Sequence, residues 1–312
     1  MNEIELKFEI TNRQIADLTL FLNQWVNCDA AEYIDSGQTQ PRISQLILLN
    51  TYYDTPDYYL RNNGCGLRVR VSEQGSSQHC EMTLKRDSQS IAGLHQRAEY
   101  NIDLPSPNLD ITALPKAALP KDCDINQLQN HLKPLFSTNF KRQAWLILFA
   151  NSEIEVALDQ GEIESNGTKL PIQEVELEIK QGNKQDLINF AIELARFDLH
   201  LFSQSKAARG YRLLKNQPIN HSEINLSCQQ SLPDILKFWQ QNEEYALANN
   251  DLNFYQHTLQ QVQQALLEKG VFIEPEFNQW QHALQSIKSV SDFAYSEVNT
   301  KLKLMLLAQN NR

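Results

Sequence analysis

Charged and apolar residues alternate in several short segments of the chain. Near the N-terminus Glu3, Glu5 and Lys7 alternate with apolar residues, and Arg68 and Arg70 repeat the pattern further on. In an extended strand, residues two positions apart share a face, so each segment would carry its charge on one side. Lysine and arginine bind phosphate oxygens, and carboxylates are ligands for hard divalent cations. If the charged faces converge, these residues could hold a phosphate ligand together with a metal ion.

The same alternation recurs in four more segments. Their charged residues are Glu81, Lys85, Arg97, Glu99, Glu153, Glu155, Asp159, Glu174, Glu176, Glu178 and Lys180. The commonest meaning of such alternation is a sheet with its polar face in water. Eight strands can also close into a barrel with its apolar faces outward, provided that helices cover them. Arginines on some strands are matched by glutamates on others, which favours the second interpretation, and both are open at this point.

Eight strands are predicted from the alternation and from the turn residues between segments. They span residues 2–9, 46–54, 66–72, 79–86, 95–104, 142–150, 153–160 and 172–180. A helix is predicted after Thr11, because Thr11 and Gln14 form a capping-box pattern ahead of an apolar stripe. A second amphipathic helix is predicted over residues 185–201, and the Pro-rich residues 105–120 predict a linker. The two helices are suitable covers for a barrel.

The composition changes after about residue 215, where the periodicity becomes helical. Apolar residues recur at three- and four-residue steps at Leu252, Tyr255, Leu259, Val262 and Leu266. Gly270 suits a helix C-terminal cap, and another stripe begins at Leu284. We therefore divide the chain into residues 1–214 and a helical appendage over residues 215–312. Two arrangements fit the apolar stripes of the appendage: packing on the first part, or a homodimer contact.

The composition excludes several classes of protein. With 41% hydrophobic and 21% charged residues among 312, the chain is typical of a globular protein. It has no apolar run of about 18 residues and starts with a strand pattern, so we expect no membrane span, no secretory signal and a cytoplasmic location. The net charge of -10 argues against a general nucleic-acid binder. The five cysteines are scattered, which disfavours a disulfide framework or a zinc site.

Several short motifs of the chain, and the order in which they occur, resemble those of a known protein family. The segments are "EIELK", "YYDTPDYYL", "GLRVR", "TLKR", "RAEY", "ALDQGEI", "EVELEIK" and "SKAARGYR". Over residues 1 to about 214 the chain is similar to the CYTH superfamily, the triphosphate tunnel metalloenzymes. The resemblance implies an α+β fold: an eight-stranded antiparallel β-barrel covered by helices, with the charges inside a tunnel, plus a small C-terminal helical domain. It extends to bacterial inorganic triphosphatases that carry a helical CHAD domain, although the helical part is shorter here.

The resemblance also implies an activity, namely metal-dependent hydrolysis of inorganic triphosphate to diphosphate and phosphate, with Mg²⁺ or Mn²⁺ as cofactor. The implied substrate-binding residues are Lys7, Arg68, Arg70, Lys85, Arg97, Arg142, Lys206 and Arg209. The implied metal ligands are Glu3, Glu5, Asp159, Glu176 and Glu178. The implied catalytic residues are Glu5, Lys7 and Lys85. Glu99 is of the kind that orients an arginine, and Glu174 fits either a metal ligand or an ion pair.

Other functions are compatible with the same fold, because a fold does not fix a function. A thiamine triphosphatase and a class IV adenylate cyclase would use the same tunnel. A barrel that binds phosphorylated nucleotides or RNA ends without catalysis is a further alternative. For the glutamates, the alternative to metal binding is an internal salt-bridge network with the arginines.

Overall fold

Nine strands form one antiparallel sheet in the computed structural model, which describes residues 2–28, 41–91, 93–121, 123–226, 228–271 and 273–309. The strands are β1 (Asn2–Ile10), β2 (Ile43–Asp54), β3 (Cys65–Gln74), β4 (Ser77–Ile91), β5 (Leu94–Leu104), β6 (Lys133–Phe149), β7 (Ser152–Ser165), β8 (Thr168–Gln181) and β9 (Leu199–Leu201). The first eight follow each other in the order β5-β4-β3-β2-β6-β7-β8-β1, and β1 also pairs with β5. This pairing closes the sheet, which confirms the predicted eight-stranded barrel.

Ten α-helices accompany the sheet within the described ranges. They are α1 (Ile15–Cys28), α2 (Tyr59–Asn62), α3 (Ile125–His131), α4 (Lys184–Leu194), α5 (Lys206–Leu214), α6 (Leu232–Asn249), α7 (Leu252–Lys269), α8 (Glu276–Leu284), α9 (Val290–Ala294) and α10 (Glu297–Gln309). Leu22 of α1 and Leu187 of α4 belong to one apolar cluster with Leu6 and Val175 of the barrel strands. The helices therefore cover the outward apolar faces, as the barrel interpretation requires.

The C-terminal helices pack on the barrel through the same cluster. Trp239, Tyr255 and Trp280 are fully buried in it, and α10 contacts both α4 and β9. The stripe predicted in α7 is confirmed, and Gly270 ends that helix with a φ of 71°. The stripe that begins at Leu284 is divided between the end of α8 and the separate helix α9. Packing on the barrel is thus observed, while the homodimer and the division at residue 214 stay predictions.

Two predicted boundaries are wrong because tertiary pairing overrides local pattern. The helix predicted over residues 185–201 ends at Leu194, Asp198 adopts a left-handed φ of 47°, and Leu199–Leu201 pairs with β1 as a ninth strand. Strand β6 begins at Lys133 and not at residue 142, since its first half pairs with β2 although its polar run interrupts the alternation. The capping box is also not formed: Thr11 makes no side-chain cap, and Gln14 donates to Asp198 at 2.8 Å.

The predicted linker over residues 105–120 is a packed segment. It contains two 3₁₀ turns, and Ile111, Leu114 and Ala118 are buried against the outward apolar face of β3 and β4. Proline-rich sequence was the signal for a linker, but the buried apolar residues between the prolines decide its structure. Together with Leu128 of α3, this segment covers the outer face of β3 and β4. Helices α1 and α4 belong to a different apolar cluster on the barrel.

Helix α5 fills one end of the barrel interior. Phe136, Phe140 and Ile163 share the inward parity of the charged residues on their strands and form an apolar cluster with Tyr211 of α5. At Gly210 an added Cβ would lie 2.1 Å from the Phe136 ring, so only glycine permits this close packing. Tyr211 also donates to the carboxylate of buried Asp54 at 2.9 Å. Helix α5 is thereby fixed to the barrel wall.

The structure also bears on the classes of protein that composition excluded. No helix in the described ranges is both long and apolar enough to cross a bilayer. All five cysteines are free thiols in this structure.

Candidate functional site

The barrel encloses a cavity of about 450 Å³ that is lined mainly by charged side chains. Seven of the eight predicted substrate-binding residues line it: Lys7, Arg68, Arg70, Lys85, Arg97, Arg142 and Lys206. The eighth, Arg209, lies behind Glu174 and donates to that carboxylate and to the carbonyl of Pro171. The inward-facing interpretation of the alternating charges is therefore correct.

Strand register brings opposite charges together across the wall. Lys7 of β1 lies directly opposite Glu176 of β8, and Arg142 of β6 lies opposite Asp159 of β7. Directly opposite residues in an antiparallel pair point to the same face with their Cβ atoms about 5 Å apart. Each pair is thus in position for an ion pair inside the barrel.

One group of ion pairs connects β1, β4 and β5. Lys85 lies 2.7 Å from Glu3 and 3.0 Å from Glu99, and Arg97 donates to Glu3 at 2.8 Å. Burial alone would raise the pKa of Glu3, but Lys85 and Arg97 outweigh it and hold the pKa well below its usual value. Glu99 thus makes an ion pair with Lys85, and against the effect of burial its negative charge also helps to raise the pKa of Arg68.

A second group connects β6, β7, β8 and α5. Arg142 makes a two-point contact with Asp159 at 2.7 and 2.6 Å. Lys206 lies 2.7 Å from Asp159 and 3.1 Å from Glu176, and also contacts Glu174. Oxygens of these three carboxylates lie within 4.8 Å of one another, a spacing that could hold a metal ion. In this structure the Lys206 ammonium contacts all three carboxylates, and Glu174 also pairs with Arg209.

Arg68 and Arg70 differ from the other cations. Neither makes an ion pair within the part of the chain that the structure describes, and Arg68 Nε is buried without a hydrogen-bond partner there. Arg70 donates to Asn50 at 2.7 Å. Burial and the nearby Arg68 and Arg142 lower the pKa of Arg70 to about 9. Both arginines thus face the cavity without an ion pair in the described part of the chain, while against the effect of burial the charges of Glu99 and Glu81 still help to raise the pKa of Arg68.

The predicted metal ligands occupy two depths. Glu3, Glu5, Glu176 and Glu178 line the cavity, whereas Asp159 lies fully buried beneath Arg142 and Lys206. Glu5 and Glu178 are opposite each other on β1 and β8, and Glu178 pairs with Lys180 at 2.9 Å. Carboxylate oxygens are the donors that Mg²⁺ and Mn²⁺ prefer, so this donor set fits such an ion. At Asp159, an incoming ion would have to displace a lysine.

Several residues of the cavity were not predicted. Asn50, Tyr52, Glu81, Arg61 and Tyr211 line it or hold a residue that does. Asn50 and Tyr52 share the inward face of β2, but they are neutral, so a search for alternating charge does not find them. Glu81 lies in an alternating segment, and its parity alone would have placed it inside.

A closed antiparallel barrel that surrounds a charged cavity, with two arginines left unpaired among the described residues, defines a class of anion-binding tunnel proteins. Residues 1–211 match the CYTH domain. The chain therefore belongs to the CYTH family, as the order of its motifs implied.

Similar proteins give the family context. The chain is 37% identical over 220 residues to an inorganic triphosphatase of Haemophilus influenzae, and this match covers 70% of the chain and 56% of the relative. The chain thus spans about half the length of this curated relative. Its structure is similar to a putative adenylyl cyclase from Hippeastrum with a dominant triphosphatase activity (TM-score 0.44, 15% identity, 69% of this chain and 96% of that one). It is also similar to a protein of Pyrococcus horikoshii OT3 (TM-score 0.40, 16% identity, 69% and 99% covered).

Proposed function

We propose that this chain hydrolyses inorganic triphosphate to diphosphate and phosphate inside its barrel. The observation that carries the proposal is the pair Arg68 and Arg70, which face the cavity without a carboxylate partner among the described residues. A triphosphate presents several anionic oxygens in a row, and arginine forks match such oxygens in two-point contacts. The similarity to the Haemophilus influenzae enzyme favours inorganic triphosphate over other triphosphates.

The cations have separate roles in this proposal. Arg68 and Arg70 attract the polyanion, and Arg97, Arg142, Lys206 and Arg209 support binding directly or through the carboxylates that they contact. Lys7 and Lys85 neutralise the charge that develops on the phosphoryl oxygens. Phosphoryl transfer needs little covalent chemistry from the protein, so positioning and electrostatic stabilisation supply most of the catalysis.

The carboxylates would hold Mg²⁺ or Mn²⁺, for which the cavity-lining residues Glu3, Glu5, Glu176 and Glu178 offer hard oxygen donors. When bound, such an ion would neutralise negative charge on the phosphate oxygens and help to hold them in place. Glu5 is fully enclosed beside Lys7 at 2.8 Å, and we assign it the orientation of the attacking water. Asp159 supports the site through Arg142 and Lys206.

A phosphate-release panel tests the proposal. Tripolyphosphate, thiamine triphosphate and ATP are each incubated with the full chain and Mg²⁺, Mn²⁺ or a chelator. We expect release from tripolyphosphate that is fastest of the three and is abolished by the chelator. Preferred release from thiamine triphosphate, or conversion of ATP to cyclic AMP, would reassign the substrate. Tight binding of tripolyphosphate without release would make the barrel a binding module.

A further inference from the structure

The short connection between β9 and α5 is held by a residue from the C-terminal helices. The carboxylate of Glu244 in α6 accepts from the backbone N–H of Ser203 at 2.8 Å, from its hydroxyl at 2.6 Å and from Gln204 Nε2 at 2.8 Å. Gln240 on the same helix donates to it at 3.2 Å. Both carboxylate oxygens thus bind the connection over residues 203–204.

Glu244 is deeply placed and bound by neutral donors. Its relative exposure is 5%, and no ion pair of Glu244 within 4.0 Å is found in the described ranges, although Arg212 and Lys303 interact with it electrostatically. A carboxylate taken out of water loses solvation, and at Glu244 the direct contacts that replace it are hydrogen bonds from neutral donors. The four donors satisfy it only while residues 203 and 204 stay in place. The interaction therefore constrains the connection and not merely the helix.

The connection delivers Lys206 to the barrel interior. Phe202 donates its N–H to the carbonyl of Lys7 at 2.8 Å, and the Ser205 hydroxyl caps α5 by accepting from the Ala208 N–H at 3.1 Å. Lys206 is the first residue of that helix. The far end of α5 is fixed by Tyr211 on Asp54. Its N-terminal end, which carries Lys206, depends on residues 202–205.

We propose that Glu244 is a positioning residue for Lys206, so that the C-terminal helices contribute to substrate binding in the tunnel. The inference rests on the proposed function and concerns a residue outside the region that matches the CYTH domain, residues 1–211. Without Glu244 the connection can shift, and the Lys206 ammonium then leaves its position between Asp159, Glu174 and Glu176. Misplacement of a binding group by about 1 Å can cost two orders of magnitude in rate.

Kinetics of the full-length chain test this role. Glu244→Ala and Glu244→Gln are compared with Glu268→Gln, which removes the same charge from an exposed site on α7. We expect KM for tripolyphosphate to rise about tenfold in Glu244→Ala, which is about 1.4 kcal/mol, with a smaller change in kcat. Glu244→Gln should be intermediate, because its amide oxygen still accepts from Ser203. Wild-type KM in both Glu244 variants would overturn the inference.

A double-mutant cycle separates positioning from general damage. If Glu244 acts through Lys206, Glu244→Ala should have no further effect on KM in a Lys206→Met background. Additive effects of the two substitutions would contradict the inference. Should Glu244→Ala fail to fold, Ser203→Ala and Gln204→Ala remove the donors singly, and their effects on KM should also vanish in the Lys206→Met background.

Hydrogen exchange provides a readout that does not need activity. Amides of residues 203–209 should exchange faster in Glu244→Gln than in wild type and Glu268→Gln, while β3 and β4 stay protected. Unchanged exchange in this segment would overturn the inference even for an active enzyme. Faster exchange in a chain whose wild type releases no phosphate from tripolyphosphate would contradict the proposed function and leave the connection's dependence on Glu244 in place.

Discussion

Arg68 and Arg70 lie two residues apart on β3 and both face the barrel cavity, without a carboxylate partner among the residues that the structure describes. The other predicted cations each contact at least one carboxylate: Lys7, Lys85, Arg97, Arg142, Lys206 and Arg209. A polyanion in the cavity therefore finds two arginines that make no ion pair with the described part of the protein. At the other cations it must compete with carboxylates of the protein.

Replacement of these arginines should weaken binding without weakening the fold. We expect Arg68→Ala or Arg70→Ala to lower the affinity for tripolyphosphate by about 2 to 5 kcal/mol, the usual cost of truncating one partner of a desolvated charged contact. The melting temperature of Arg70→Ala should be unchanged or higher, because the substitution removes repulsion from Arg68 and Arg142. For Arg68→Ala, whose charge is also attracted by Glu99 and Glu81, we expect little change. Calorimetric titration measures the affinity, and Lys141→Ala, on the exposed outer face of β6, is the control. Unchanged affinity in both variants would remove these arginines from the site.

Arg142→Ala should, in contrast, lower the stability of the fold. Asp159 is fully buried and receives two hydrogen bonds from Arg142, so this substitution leaves a buried carboxylate with Lys206 as its remaining cation. Loss of one partner of a buried ion pair typically costs about 3 to 5 kcal/mol. Urea unfolding at pH 7 measures the change in the free energy of unfolding. Equal stability of Arg142→Ala and Arg70→Ala would contradict the division into paired and unpaired cations.

Glu176→Gln separates metal binding from ion pairing. Glu176 contacts Lys7, Arg142 and Lys206, so the substitution should lower the melting temperature. If Glu176 is also a metal ligand, the metal concentration for half-maximal turnover should rise, and excess metal should restore part of the activity. An unaltered metal requirement in a destabilised variant would remove Glu176 from the ligand set.

Glu178→Gln is the matched comparison for that experiment. Its carboxylate is 28% exposed and its partner Lys180 is 37% exposed, so the stability cost of losing this ion pair should be small. We expect a weaker apparent metal affinity with little change in melting temperature. A normal metal titration of Glu178→Gln would place the metal elsewhere in the cavity.

From the surroundings of His200 we expect the protein to lose stability at alkaline pH. This buried histidine lies 2.9 Å from Glu243 and 3.4 Å from Glu9, while Lys303 contacts Glu243 and Tyr295 donates to Glu9. Burial would lower the pKa of His200, but the two carboxylates outweigh it and raise the pKa to about 9. The folded state therefore holds the proton more tightly than the unfolded chain, whose histidine pKa is about 6.5.

The sign of the effect follows from that difference. The stabilisation is complete below about pH 6.5 and is lost as the pH rises through about 9, at about 1.4 kcal/mol per pKa unit. We expect the free energy of unfolding to fall by a few kcal/mol between pH 6 and pH 9.5 in wild type, and by clearly less in His200→Gln. Urea unfolding at both pH values checks this. Identical slopes in the two proteins would show that another group causes the change.

Truncation tests the division at residue 214. The sequence predicts separate parts, but Glu243 and Glu244 bind groups of the barrel region, and the apolar cluster continues into α10. We expect a chain that ends after residue 220 to melt at a lower temperature than the full chain and to lose tripolyphosphate affinity. A truncated chain with the wild-type melting temperature and affinity would support independent domains.

Local pattern predicted the faces of the strands well. The parity of Glu3, Glu5 and Lys7 is a property of an extended chain and needs no knowledge of its partners. Which face is inside depends on closure and on covering helices, and the order of the family motifs was needed to decide it. The ion pairs depend on register as well: Lys206 meets Asp159 because α5 turns back into the barrel after β9.

The wrong predictions have a common physical cause. Residues 199–201 form a strand because β1 offers free backbone groups, and residues 105–120 are packed because β3 and β4 offer an uncovered apolar face. Neither partner is visible in the local sequence, so propensity alone favoured a helix and a linker. Asn50, which accepts a hydrogen bond from Arg70, was missed for a different reason, because a neutral side chain leaves no trace in a pattern of alternating charge.

Strand β1 pairs with β5, β8 and β9, so its partners include residues as distant as Arg97, Glu176 and Leu201. During synthesis β1 is made before these partners, so the backbone hydrogen-bonding groups along its two edges stay unpaired until they follow. Contacts this remote in sequence make closure of the barrel a slow step in folding. Charges along such an edge oppose pairing with other chains. The glutamates and lysine that line the finished tunnel would thus also protect the nascent chain from aggregation.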